Sequence, residues 1–196
     1  MLTYPTTLAN TLWPAQSGSA RTARNVLLAL VGTLALAVSA KTQIPFWPIP
    51  MTMQTFVVLV IGMAYGSRLG VVTVALYLLE GALGLPVFAG SPEKGVGLVY
   101  MMGPTGGYLL GFVVAAWACG WMAERGFDRS LLKSLVAMSV GHALIFLFGV
   151  VWLSQLMGFE KAFLVGVMPF WAATIVKTLL GVVALPLTWK WLGKLK

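Results

Sequence analysis

Apolar residues fall into six runs separated by short gaps that hold nearly all the charge, and the runs cover about 25–40, 51–65, 69–87, 104–123, 132–157 and 162–192. A membrane-spanning helix needs about 20 mainly apolar residues. The pattern therefore predicts an all-α integral membrane protein with six transmembrane helices. The second run is short and is entered through the proline-rich IPFWPIP. The sixth contains Pro169 and Pro186, so it is expected to be kinked or to begin near Pro169. All six are expected to form a single membrane domain over 1–196, with 1–23 as an N-terminal tail and 24–192 as the bundle.

Composition supports the same reading. With 59% hydrophobic residues, 9% charged ones and eight tryptophans, the chain cannot hide its apolar surface in one water-soluble core. Lysine and arginine then orient it. Arg21, Arg24, Arg68, Arg125, Arg129, Lys133, Lys190, Lys194 and Lys196 fall on one side, whereas the gaps on the other hold only Lys41, Lys94 and Lys161. The positive-inside rule places both termini in the cytoplasm. The net charge of +8 is thereby a topology signal and gives no reason to invoke nucleic acid. Residues 1–20 are uncharged and no small-residue cleavage site follows the first run, so no cleaved signal peptide is expected. A lone cysteine, Cys119, excludes an intramolecular disulfide and reads as a packing residue.

The fourth run opens with GPTGGYLLGF, an odd place for so much glycine and proline. Gly103, Gly107, Gly111, Ala115 and Cys119 recur at every fourth residue, which on a helix makes one narrow stripe of minimal side chains that a second helix can approach closely. Pro104 suits the first helical position. The N–H groups of Thr105, Gly106 and Gly107 would point toward the outer half of the protein, where a helix start attracts anions. Tight packing alone and packing combined with ligand contact both fit this stretch. A nucleotide loop does not, because the Lys and Ser/Thr of the phosphate-cradling pattern are missing.

Two charges lie inside runs. Glu80 in ALYLLEGALGLPVF and Lys177 in FWAATIVKTLL are costly in a membrane and are site candidates by default, unless they serve as an ion pair to each other. His142, without a second metal-ligating residue at suitable spacing, is a weaker candidate. Gln54 stands at the outer level of the second run and suits either a helix-to-helix hydrogen bond or a ligand. Ala29, Thr33 and Ala37 form a further small-residue stripe that fits an internal contact or another subunit.

IPMTMQTFVVL, YLLEGALGLPVFAG and MGPTGGYLLGF, in this order and spacing, resemble the BioY family of biotin-specific S components of energy-coupling-factor (ECF) importers. The resemblance spans roughly 24–192. It implies a six-helix protein of the bacterial cytoplasmic membrane that captures biotin from outside. It also implies no ATPase and no cofactor of its own, and docking on a transmembrane T subunit bearing two ATP-binding subunits. By the same resemblance, biotin contacts fall on Met51 to Gln54, Phe88, Gly106, Gly107, Tyr108 and Lys177, and the docking face on Ala29, Thr33 and Ala37. Family members often carry Gly and Asp on the last helix where this chain has Ala173 and Thr174, so Glu80 or Thr174 is expected to replace the Asp contact.

The ligand's chemistry agrees. A bicyclic urea with an apolar chain and a carboxylate needs aromatic walls, a few hydrogen-bonding groups and one cation. Phe46, Trp47, Phe88, Tyr100, Tyr108 and Trp171 are candidate walls, and Lys177 is the candidate cation. The rival readings are an S component for another small vitamin, and an intramembrane enzyme built on Glu80, His142 and Lys177. The latter lacks any nucleophile–base or metal-ligand pair at recognisable spacing.

Overall fold

The computed structural model describes residues 7–15, 18–44 and 47–194. Its helices are α1 (Leu8–Leu12), α2 (Gly18–Lys41), α3 (Gln54–Tyr65), α4 (Ser67–Ala82), α5 (Gly97–Met101), α6 (Gly106–Ala123), α7 (Leu131–Met157), α8 (Phe159–Gly166) and α9 (Trp171–Lys194). Two short antiparallel strands, β1 (Gln43–Ile44) and β2 (Met51–Thr52), pair Gln43 with Thr52 and Ile44 with Met51 between α2 and α3. The protein is thus an all-α membrane protein apart from this ladder. Four helical segments among the described residues are long and apolar enough to cross a bilayer: Gly18–Lys41, Gly106–Ala123, Leu131–Met157 and Phe159–Gly193.

The second and third runs fold as shorter helices. The 12 residues of α3 rise only about 18 Å, and α4 stops at Ala82, leaving 83–96 in turns and irregular backbone. Gly66, at φ 84°, makes the sharp elbow between them, a conformation that a side chain would strain. Glu124 at the end of α6 holds this elbow: Ser67 N and Ser67 Oγ both donate to its Oε1 at 2.8 Å. The last run breaks where Pro169 predicts, in a 3-10 turn over Met168–Phe170, whereas Pro186 lies inside the unbroken α9. The fourth helix begins at Gly106, two residues after Pro104, which stands in the preceding turn.

α6 is the central post, with 12 of its 18 residues buried, and it packs most closely on α7. The small-residue stripe makes this possible. A Cβ on Gly107 would run into the Trp152 side chain and the Phe148 carbonyl, one on Gly111 would sit 3.0 Å from Ile145 Cα, and Cys119 Sγ lies 3.3 Å from Ala137 O. At the opposite end from the strands, the fully buried Asp128 accepts from Trp189 Nε1 at 2.5 Å, which ties α9 to the α6–α7 connection. Burial there pushes the Asp128 carboxyl above the usual carboxylate range.

Candidate functional site

The strand ladder, the irregular stretch before α5, and the facing helices α3, α6, α7 and α9 enclose a cavity of about 580 Å³, counting its open mouth. Its walls are mostly aromatic and aliphatic, with Tyr100, Tyr108, Phe112, Phe146 and Phe170 among them. Its polar groups are few: Thr52, Gln54, Thr55, Thr105, Thr174 and Lys177.

Lys177 comes from the second turn of α9 and is 6% exposed. Its ammonium donates to Thr52 O at 2.5 Å and Thr55 Oγ1 at 3.2 Å. An ammonium has three donors, so one is left for the cavity. Among the described residues, no Asp or Glu lines that space. Thr174, one turn before Lys177, shares the wall and is half-buried. Gln54 is 4% exposed and donates through Nε2 to Tyr77 Oη at 2.6 Å, and Tyr77 in turn donates to Val87 O at 3.0 Å. Tyr108 reaches across to α8, donating to Gly166 O at 2.9 Å, and so joins the cavity to the break in the last run.

Gln54, Tyr108, Thr174 and Lys177 are therefore brought together, while the other expected contacts stand off the lining. Phe88 is 1% exposed and lies a layer back, stacked on Tyr100 at 4.9 Å and edge-on to Tyr77 at 5.5 Å. Gly106 and Gly107 lie against Trp152 on the α7 side. Met51 is half-buried on β2, beside the Thr52 that holds Lys177. Glu80 is half-buried near the end of α4 and away from the lining, so the cation's nearest partners are neutral oxygens and not that carboxylate. Trp47 and Trp171 are 78% and 62% exposed, and Phe46 lies outside the described residues. His142 is buried, with Nδ1 3.0 Å from Met138 O and 3.2 Å from Thr178 Oγ1, while its Nε2 has no hydrogen-bond partner among the described residues and the ring lines a second cavity between α7 and α9.

Sequence reasoning missed Phe112, Phe146 and Phe170. Phe112 closes the GPTGGYLLGF stretch itself and Phe170 follows Pro169 directly, so both had a local signal. Phe146 had none beyond lying on the long fifth run.

The first-helix stripe turns inward. Ala29 and Thr33 are each 4% exposed and Ala37 is half-buried, because α2 lays this side on α4 and α3. Leu30, Leu34 and Val38 point away from the fold. The stripe is an internal contact, which small side chains serve equally well. Thr33→Trp is expected to lower the melting temperature of the purified chain by about 5 °C or more, as overpacking in a close contact does. Unchanged thermal unfolding in detergent would put the stripe back at the surface.

Comparison with known proteins follows the same geometry. The BioY family profile matches residues 10–194. The chain belongs to the BioY family. A probable biotin transporter BioY from Pyrococcus horikoshii is 35% identical over 161 residues, covering 82% of this chain and 93% of that protein. The biotin transporter BioY of Thermotoga maritima is 37% identical over 166 residues, covering 84% and 95%. A crystal structure of the S-component for biotin from an ECF-type ABC transporter superposes with a TM-score of 0.75 over 90% of this chain and 95% of that one. At 19% identity, that superposition speaks for the shared fold alone.

Proposed function

We propose that this chain is a biotin-binding S component, which captures biotin from outside and delivers it through an ECF-type ATP-driven importer. The observation that carries the reading is Lys177: a buried cation with a donor to spare, on a carboxylate-free aromatic cavity, in a BioY chain. Such a site selects a mostly apolar ligand with one negative charge, as biotin has. Lys177 takes the carboxylate, Thr174 supplies the hydrogen bond for which other family members use Asp, and Gln54 and Tyr108 complete the polar set. Met51, Phe88, Gly106 and Gly107 shape the walls from behind, and Glu80 plays no direct part.

Six crossings are read from the six apolar runs, with α3 and α4 as the short ones, and the distribution of lysine and arginine supports both termini in the cytoplasm. The protein works as a multi-pass component of the cytoplasmic membrane. Its partners are a T subunit and two ATP-binding subunits, as its BioY membership implies, and the lack of a nucleotide-phosphate loop in its sequence agrees with an ATPase supplied by others. Mass spectrometry of the chain purified in detergent is expected to find biotin co-purifying, and the partner-free protein is expected to bind biotin without hydrolysing ATP. Persistent ATPase activity, or a different co-purifying vitamin, would overturn the assignment.

A further inference from the structure

The turn that follows α4 has its carbonyls held by side chains from three separate helices. Tyr77 of α4 donates to Val87 O, and Tyr100 of α5 donates to Ala89 O at 2.7 Å. Lys41, the last residue of α2, donates to Phe88 O at 3.0 Å, Ser91 O at 2.6 Å and Ser91 Oγ at 3.2 Å. These contacts use every donor an ammonium has. Phe88 and Ser91 are 1% and 5% exposed, so water has little access to replace those donors. Ala89 and Tyr100 line the cavity, and Phe88 stacks behind Tyr100. Just past Lys41, Thr42 O accepts from Met53 N at 3.2 Å, and β1 pairs with the β2 strand that presents Thr52 to Lys177. The end of α2 is thus bonded to two different walls of the cavity without lining it.

We propose that Lys41 is a positioning residue for the ligand: its ammonium fixes the 87–91 turn, and through it the Ala89–Tyr100 wall, to the end of α2. Removing the ammonium takes the donor from Ser91 O and Ser91 Oγ and leaves Phe88 O bonded only within its own turn, by Ser91, so nothing ties the turn to α2 and the wall loses its set. A preformed wall acts chiefly on how long a ligand stays, because encounter does not depend on it. The inference rests on the proposed binding of biotin in this cavity.

The test uses the full-length protein in detergent with tritiated biotin. Lys41→Met is expected to speed dissociation about fivefold or more with little change in association. Lys41→Arg, whose guanidinium offers donors to the same oxygens, is expected to stay within about twofold of the parent. Ser91→Ala removes one acceptor of Lys41 together with the hydroxyl that donates to Phe88 O, without touching α2, and is expected to shift dissociation in the same direction. Amide hydrogen exchange without ligand is expected to quicken at 88–91 in Lys41→Met and to stay unchanged in α6 and α7. Parent-like dissociation in Lys41→Met, or an Arg variant as fast as Met, would overturn the positioning role. A parent that fails to retain biotin would instead overturn the functional reading, and unchanged exchange at 88–91 would overturn the role of Lys41 with no ligand present.

Discussion

Lys177→Met is expected to lose biotin affinity by more than tenfold. Lys177 is the cation of a cavity without carboxylates, and truncating one side of a buried charge contact typically costs about 2–5 kcal/mol, where about 1.4 kcal/mol is a factor of ten. The substitution also strips Thr52 O and Thr55 Oγ1 of their donor. Biotin amide separates direct contact from general disruption. If Lys177 meets the ligand carboxylate, the parent prefers biotin over the amide, and Lys177→Met loses most of that preference. Equal losses for the two ligands would assign the lysine to the ureido end or to the Thr52 wall. Parent-like affinity for both in a folded variant would remove Lys177 from the site.

Gly107→Val is expected to damage folding and binding together. The added side chain would overlap Trp152 and the Phe148 carbonyl, and two helix backbones this close cannot separate without breaking the central α6–α7 contact. A melting temperature lower by at least about 5 °C and weakened biotin binding are expected, because Tyr108 and Leu109 on the adjoining turn line the cavity. Gly193, where an added Cβ meets nothing within 4 Å, is the control. A Gly107→Val protein that melts and binds like the parent would refute the packing argument.

Helices were legible because membrane spans write themselves as unbroken apolar runs. The break at Pro169 was legible too, since proline cannot donate to the preceding turn. Lys177 announced itself by cost alone. The first-helix stripe shows where such reading stops: Ala29, Thr33 and Ala37 specify close approach by some helix, and only the packing of α2 on α4 decides which. Glu80 shows the same limit, for a carboxylate near the end of α4 is spared the full cost of burial and needs no cation. The strands flanking IPFWPIP left no alternating pattern to read, being two residues each.

Those two strands have a kinetic consequence. A ladder so short contributes few hydrogen bonds, so its opening belongs to the low-energy end of local unfolding, far below the free energy that holds α6 to α7. Thr52 sits on that ladder and is also an acceptor for the Lys177 ammonium. Each opening of the ladder therefore loosens one of the two contacts that hold the Lys177 ammonium.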